Sequence, residues 1–358
     1  MSKPRLIAFY LPQFYPTREN DEWWQPGFTE WTNVGRAKPL FPGHHQPKVP
    51  RDLGYYDLRV PETREKQAEL AREAGIEGFC YWHYWFAGRR LLDRVFREVV
   101  ESGKPDFPFC LCWANHSWYK KIWDPSKPNT LLIEQTYPGK QDFIDHFYAM
   151  LPAFKDPRYM KRNGKLIFGL FAPLDMPNFK LFKDTWNQLA KENGLDGFWF
   201  WGLSVGMENG DKVINMGYDT ACVDYMQKQN VITNPLKDFF WHVIRKFTPF
   251  PKYMTYSHYV KDMLKHFKPQ EGFIPCLGPN FDHSPRSHNR GVILFGSTPT
   301  KWKHFCEKIF NMQKDRPHEE NIIFIKSWNE WGEGNYLEPD LEHGKGYIKA
   351  LKEALTSS

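Results

Sequence analysis

Features that mark several common protein classes are absent from this chain of 358 residues. No apolar run is long enough to span a bilayer, and the run close to the N-terminus is too short for the core of a signal peptide. No basic run or nucleic-acid-binding motif is present either. We therefore expect a cytoplasmic protein that has no transmembrane segment and binds no nucleic acid, although a secreted or periplasmic protein trimmed of its leader would have the same sequence.

The six cysteines do not form the pattern of a metal site. No Cys-x-x-Cys pair occurs, and no group has the spacing of zinc ligands. Cys110 and Cys112 stand two apart in an apolar run, so they share one face of a strand. We expect buried free thiols, as in a reducing compartment, and neither a metal nor another cofactor.

A glycine-rich phosphate loop is also missing. A doubly wound open sheet usually carries one after its first strand, whereas residues 11–15 contain no glycine. Short apolar strands alternate instead with helices. The predicted strands are 5–11, 76–84, 107–114, 165–171, 197–203, 219–225, 273–279 and 322–328, and the predicted helices are 61–74, 91–102, 140–153, 178–193, 255–267, 299–313 and 345–355. Eight strands close a parallel barrel, so we predict an α/β fold in which residues 1–358 form a single (β/α)8 TIM barrel with long βα loops.

The net charge of +6 is unevenly spread. Residues 237–268 hold seven Lys or Arg against Asp238 and Asp262, together with several aromatic residues. The favoured interpretation is a barrel helix with a solvated loop. A membrane-facing or anionic-glycan surface is the alternative.

Aromatic residues are abundant, at 17% of the chain with 15 Trp. They fit either a Trp-rich core or a sugar site, where aromatic faces stack on the C–H surface of a pyranose ring. In a barrel the functional side chains follow the strands. The polar and aromatic residues at the predicted strand ends are Tyr10, Gln13, Trp82, His83, Tyr84, Trp85, Trp113, Asn115, His116, Asp175, Ser204, Asp224, Tyr225, Asn280, Asp282, Arg286, Asn329, Glu330, Trp331 and Glu333.

The strongest motif is Trp-Asn-Glu-Trp-Gly-Glu-Gly at 328–334, which continues to Tyr336. Glu330 and Glu333 stand three apart just past a buried strand, so both can face one cleft. Glycosidic cleavage needs one protonated and one ionised carboxyl group. Neighbouring tryptophans would raise the pKa of one glutamate by desolvation. The less favoured interpretation of this motif is a surface loop with two solvated glutamates.

Other segments have both a binding and a structural interpretation. Glu30, Trp31, Asn33, His44 and His45 lie in a long loop after the first strand, which either holds sugar hydroxyls or only covers the barrel.

Tyr81, His83, Trp113 and Asn115 alternate along strands, so only half of them point inward, and His83 is as compatible with the core as with a sugar contact.

After the seventh strand, Asn280, Asp282 and Arg286 could clamp hydroxyls or an anionic sugar, or Asp282 and Arg286 could form an ion pair that orders the loop.

Residues 202–206 spell Gly-Leu-Ser-Val-Gly, the letters of a nucleophile elbow. That motif requires a helix directly after the serine. Residues 207–211 do not resemble a helix, so a Ser-His-Asp hydrolase is poorly supported.

At these motifs the sequence resembles the WbsX-like group, often labelled glycosyltransferase and related to the endo-α-mannosidases and mannanases of glycoside hydrolase family 99. The resemblance covers nearly the whole chain. It rests on Phe-Thr-Glu-Trp-Thr-Asn at 28–33, the segments at 37–44 and 52–57, Gly-Phe-Cys-Tyr at 78–81, Cys-Trp-Ala-Asn at 112–115, and the glutamate motif.

The resemblance implies a (β/α)8 barrel and retaining cleavage of α-linked, mannose-containing or related polysaccharide without a metal. Glu330 would assist the 2-hydroxyl of the sugar, which attacks to give a 1,2-anhydro intermediate, and Glu333 would protonate the leaving oxygen. Tyr225 falls where family 99 has an active-site tyrosine. The loops at 30–33 and 44–47 are WbsX-like rather than typical of family 99, so mannose specificity does not transfer.

We therefore expect a retaining glycoside hydrolase acting on an oligo- or polysaccharide. A glycosyltransferase of surface polysaccharide synthesis is the alternative, and a non-catalytic glycan-binding protein comes third. The expected substrate-binding residues are Tyr10, Glu30, Trp31, Asn33, His44, His45, Tyr81, His83, Trp113, Asn115, Tyr225, Asn280, Asp282, Arg286, Asn329, Trp331 and Tyr336.

Overall fold

The computed structural model describes residues 3–120, 130–226, 243, 248 and 250–357. Eight parallel strands form a closed barrel in chain order, because the last pairs with the first (Arg5 opposite Ile322). They are β1 (Arg5–Tyr10), β2 (Gly78–His83), β3 (Phe109–Trp113), β4 (Lys165–Leu170), β5 (Phe198–Ser204), β6 (Thr220–Asp224), β7 (Phe273–Leu277) and β8 (Ile322–Ile325). The TIM-barrel prediction is confirmed.

A helix follows each strand. The helices are α1 (Pro61–Ala74), α2 (Arg94–Ser102), α3 (Lys140–Phe154), α4 (Phe179–Glu192), α5 (Met207–Asn215), α6 (Tyr256–His266), α7 (Pro299–Gln313) and α8 (Gly346–Ser357). Pro61 suits the first turn of α1 because its missing N–H has no helical partner there. Gly75 ends the same helix at φ +85°, a conformation that glycine adopts at little cost.

The expectation that no helix follows Ser204 was wrong, since α5 begins at Met207. Gly210 lowers helix propensity, but it lets α5 approach the barrel so closely that a Cβ there would overlap the ring of Phe273. The Ser204 side chain is nevertheless buried, and its hydroxyl lies 3.3 Å from the carbonyl oxygen of Cys222. The serine therefore does not present an exposed nucleophile.

Aromatic rings fill the interior of the barrel. Phe9 stacks on Trp82 with ring centres 4.6 Å apart, and Trp201 lies 4.5 Å from Phe324. Gly169 makes room for Trp201, since a Cβ on that glycine would overlap the indole ring. Burial of such large rings contributes much of the hydrophobic stabilisation of a core.

The connections between the barrel strands and helices carry smaller elements. These are the helices Arg18–Trp23, Glu30–Arg36 and Ser284–Ser287, the antiparallel pairs Trp85–Phe86 with Arg89–Arg90, Trp118–Lys120 with Thr130–Ile133, Lys161–Arg162 with β4, and Asn329–Glu330 with Asn335–Tyr336, the parallel pair Lys252–Thr255 with Val292–Phe295, and the 3-10 turns Pro173–Asp175, His288–Arg290, His318–Glu320 and Trp331–Glu333.

All six cysteines are buried free thiols, as expected. Most of residues 237–249, the first part of the basic stretch, lies outside the described residues. The remainder forms the strand Lys252–Thr255 and helix α6. Within the described ranges, no helix combines the length and apolar character needed to cross a membrane.

Candidate active site

A cavity of about 810 Å³ opens at the carboxyl ends of the barrel strands. Its walls come largely from residues that follow β1, β2, β3, β4, β7 and β8, at the face where barrel enzymes place their active sites. Among the residues predicted from the sequence as catalytic or substrate-binding, those that line it are Glu30, Asn33, Arg286, Glu330 and Glu333.

The two glutamates of the motif lie on a tight turn after β8. Asn329–Glu330 forms a short strand, and Trp331–Glu333 forms a single 3-10 turn. Gly334 ends the turn at φ +53°, and a Cβ there would lie 2.7 Å from the Cβ of Asp282. The backbone amide of Asp282 donates to the Glu333 carbonyl at 2.7 Å, which joins the turn to the loop after β7.

Arg286 lies among three glutamates. Its Nη2 donates to Oε1 of Glu330 at 2.6 Å, its Nη1 to Oε1 of Glu333 at 2.7 Å, and its Nε to Oε2 of Glu30 at 3.0 Å. Gly332 permits this approach, because a Cβ at that position would collide with the Glu30 carboxylate. A single guanidinium group therefore holds both carboxylates of the motif and a third from the loop after β1.

Burial sets the charge behaviour of this cluster. It raises the pKa of Glu330 from 4.5 to about 7, the Arg286 charge acts in the opposite direction, and the charges of Glu333 and Glu30 add to the increase. Burial disfavours the charge of Arg286, but the three carboxylates outweigh it and raise its pKa well above the usual range. Arg286 is thus a permanent cation, whereas Glu330 changes charge near neutral pH, where a general acid or base is most effective.

The position of the turn Trp331–Glu333 is fixed by a buried carboxylate, that of Glu338. Glu338 accepts hydrogen bonds from Trp331 Nε1 at 2.6 Å, Gln67 Nε2 at 2.6 Å and the Tyr56 hydroxyl at 2.8 Å. Burial raises the pKa of Glu338 to about 7, against the effect of these bonds. Asn329 adds a second attachment, since its side chain both accepts from and donates to the backbone of Leu11.

The loop helix Glu30–Arg36 packs against this turn. Thr29 caps its N-terminus by accepting from the Trp31 amide. The Trp31 ring lies 5.6 Å from that of Trp331, and its Nε1 donates to the Tyr56 carbonyl at 2.7 Å. These contacts hold Glu30 in place beside Arg286.

The other expected substrate-binding residues do not line the cavity. Eleven of them have polar partners elsewhere: Tyr10 with Gln67, Trp31 with Tyr56, His44 with Asp282, His45 with Glu342, His83 with His146, Trp113 with Trp85, Asn115 with Tyr137, Asn280 with Tyr336, Asn329 with Leu11, Trp331 with Glu338 and Tyr336 with Asp340. Asp282 bonds to His44 rather than to Arg286. Tyr81 packs against Phe96, and Tyr225 is buried with its ring 6.2 Å from that of His266.

Several cavity residues were not selected as binding residues from the sequence. Some of them, Gln13, Trp82, Tyr84 and His116, do stand at predicted strand ends. Others come from the connections that follow the strands: Asn20, Trp23, Trp24, Phe28, Arg36, Trp118, Tyr119, Lys120, His283 and Lys326. Lys326 is buried and pairs with Asp224 at 3.2 Å.

In the described part of the chain, no cluster of three or more His, Cys, Asp or Glu side chains is arranged to hold a metal ion. Arg286 occupies the space between the three acidic side chains of the cavity.

Solved structures of low sequence identity share this fold. A "glycoside hydrolase-like protein" superposes with a TM-score of 0.60 at 14% identity, covering 99% of this chain and 94% of that one. A glycoside hydrolase family 99 endo-α-mannosidase from Bacteroides thetaiotaomicron superposes with a TM-score of 0.53 at 15% identity, covering 99% and 97% of the two chains. These similarities concern the barrel architecture.

Sequence comparison identifies closer relatives. Two versions of the uncharacterised protein WxcX, from two strains of Xanthomonas campestris pv. campestris, are 32% and 33% identical over 363 aligned positions. The alignments cover 98% of this chain and 49% of each relative, so the chain spans about half the length of these relatives. The family described as "Glycosyltransferase WbsX" matches residues 6–351. The chain therefore belongs to the WbsX glycosyltransferase family.

Proposed function

We propose that this chain is a carbohydrate-active enzyme that cleaves α-linked glycans with retention, using Glu330 and Glu333 as its catalytic pair. The main supporting observation is that both carboxylates meet at Arg286 within one cavity. Two carboxyl groups of different environment are what glycosidic cleavage requires. Side-chain exposure is 7% for Glu330 and 19% for Glu333.

The proposed first step forms an internal ether. Glu330 accepts the proton of the 2-hydroxyl, the 2-oxygen bonds to the anomeric carbon, and the bond from that carbon to the leaving oxygen breaks. Glu333 donates a proton to the leaving oxygen. The product is a 1,2-anhydro sugar.

Water opens this intermediate in the second step. Glu333, now ionised, takes a proton from water as the water oxygen attacks the anomeric carbon. Glu330 returns its proton to the 2-oxygen. Two inversions give net retention, and both glutamates recover their starting states.

The surroundings of the glutamates support these roles. A pKa of about 7 suits Glu330 to accept a proton near neutral pH. Glu333 is the more exposed of the two, which suits the activation of water. Arg286 would orient both carboxylates and balance their charges as protons move.

Glycan binding would use the rings and polar groups around the cavity. Trp24 and Tyr119 are 38% and 50% exposed, so part of each ring can contact a pyranose ring. We propose that Glu30 and Asn33 bind hydroxyl groups. The remaining residues expected to bind substrate would act by positioning these groups.

A glycosyltransferase is the second candidate, which the name of the family favours. The same intermediate would then be opened by the hydroxyl of an acceptor sugar in place of water.

The test is product release from α-linked oligosaccharides and bacterial polysaccharides, without added metal or nucleotide sugar, for the wild type, Glu330→Gln and Glu333→Gln. We expect release by the wild type alone. Turnover by either variant would contradict the assignment of the pair. Turnover by the wild type only when nucleotide sugars are supplied would favour the transferase, and tight glycan binding without turnover under any condition would favour a binding protein.

A further inference from the structure

The charges in the deep part of the cavity are compensated. Arg286 bonds to Glu30, Glu330 and Glu333. Lys326 is buried and pairs with Asp224, although it lines the cavity. The cations in this region are already paired with carboxylates of the protein, so an acidic group of a glycan would gain little binding energy there.

Two further cations line the cavity and are not compensated. Arg36 is exposed at the end of the loop helix Glu30–Arg36 and has no carboxylate partner among the described residues. Lys120 Nζ donates to the Trp23 carbonyl at 2.6 Å and lies 5.5 Å from the centre of the Trp24 ring, with no described carboxylate in ion-pair contact. Both are therefore available to an anion.

The helix carrying Arg36 links it to the catalytic cluster. Glu30, Asn33 and Arg36 recur every three residues, share one side of the helix and all line the cavity. Six helical residues correspond to about 9 Å along the helix axis. Arg36 thus faces the same bound chain as Glu30, but farther from the proposed bond-breaking site.

A buried amide in the same cavity adds an unused donor. Asn20, in the helix Arg18–Trp23, is 2% exposed and lines the cavity, and its Nδ2 has no hydrogen-bond partner in the described structure. A buried donor without a partner is costly, and an anionic oxygen satisfies it well. Trp24 and Phe28 stack beside it with ring centres 5.4 Å apart, which provides an apolar surface for a sugar ring.

We propose that this part of the cavity is a subsite for an anionic substituent of the glycan, a carboxylate or a phosphate, bound by Arg36 and Lys120. The substrate class is then an acidic polysaccharide. This inference rests on the proposed carbohydrate activity, but it concerns binding and can be measured without turnover.

The experiment uses isothermal titration calorimetry with the variant Glu333→Gln, which the proposed mechanism predicts to be inactive. One arm compares α-linked uronate oligosaccharides with the neutral sugars obtained from them by carboxyl reduction. The other arm compares phosphorylated oligosaccharides with their phosphatase-treated forms. We expect at least one acidic form to bind about tenfold more tightly than its neutral counterpart, with the preference declining as salt is added.

Arg36→Gln and Lys120→Gln, each in the same background, should remove most of that preference while leaving affinity for the neutral form unchanged. Arg18→Gln is the matched control, because Arg18 carries the same charge on the adjacent helix but does not line the cavity. Equal affinity for acidic and neutral forms, binding of neither, or a preference that survives both substitutions would overturn the subsite.

Failure of this inference and of the proposed function are distinguishable. Cleavage of neutral glycans by the wild type, without preference for acidic ones, would retain the hydrolase and reject the subsite. Arg36-dependent binding of acidic glycans that the wild type never cleaves would retain the subsite and reject the hydrolase.

Discussion

Replacing Glu330 by glutamine should change how the stability of the protein depends on pH. Burial raises the pKa of this carboxyl from 4.5 to about 7 in the folded state. A carboxyl with a raised folded-state pKa stabilises the fold when protonated, and that contribution is lost as the pH rises from the unfolded-state pKa through the folded-state pKa. Glutamine does not titrate and removes the effect.

The magnitude follows from the two pKa values. Each pKa unit corresponds to about 1.4 kcal/mol, so ionising Glu330 in the folded protein costs roughly 3 kcal/mol relative to the unfolded chain. Part of that cost is already present at pH 5. Between pH 5 and pH 8, the free energy of unfolding of the wild type should therefore fall by about 2 to 3 kcal/mol relative to Glu330→Gln.

Urea denaturation of both proteins at several pH values between 5 and 8 measures this difference. Glutamine keeps an acceptor oxygen for Arg286 but removes the negative charge, which changes the stability of the variant by an amount that does not depend on its own titration, so the slope is the informative quantity. Glu342→Gln is the control, because bonds from Lys48 and His45 outweigh burial and lower the pKa of Glu342 to about 2. Its contribution is lost only as the pH falls towards 2, so it should be nearly constant over this range. Parallel curves for wild type and Glu330→Gln would refute a raised pKa.

Three further outcomes follow from the cluster. If Glu330 acts as the proposed base, a pH–rate profile should show kcat falling below about pH 7, where the Glu330 carboxylate becomes protonated. A fall in kcat above pH 7 instead would mean that the two glutamates have the opposite roles. Gly332→Ala should lower kcat at least tenfold, because its methyl group displaces Glu30 and Arg286, whereas Gly35→Ala, which meets no atom within 4 Å, should leave kcat unchanged in the same assay. Arg286→Met should destabilise the protein by about 3 to 5 kcal/mol at pH 8, because it leaves buried carboxylates unpaired. The loss should be smaller at pH 5, where protonation neutralises part of the carboxylate charge. Urea denaturation measures both losses, and equal values at the two pH values would contradict this.

The barrel could be predicted from the sequence because its signals are local. Each strand is a short apolar run, and α1 is bounded by Pro61 and Gly75. Helix α5 was missed because Gly210 lowers local helix propensity, while its stabilising contact, close packing on Phe273, depends on the tertiary structure.

The candidate site, too, could be predicted only in part from the sequence. Glu330 and Glu333 are adjacent in one motif and could be named directly. Their partner Arg286 had two interpretations, a clamp for hydroxyls or an anionic sugar and an ion pair with Asp282, but Asp282 bonds to His44 and Arg286 bonds to the glutamates. Such pairings join residues far apart in the chain and are decided by the directions in which loops leave the barrel. The rings and cations of the loops, including Trp24, could not be assigned for the same reason.

The hydrogen bonds to Glu338 have a mechanical consequence. Through Gln67 and Trp331, this carboxylate fastens the turn Trp331–Glu333 to helix α1, and opening the turn would remove one of the three donors to a buried acceptor. Backbone amides of the turn should therefore exchange with solvent as slowly as those of the barrel strands. The two glutamates are therefore fixed to the barrel, so in the proposed mechanism the sugar chain, rather than this turn, would move between successive cleavages.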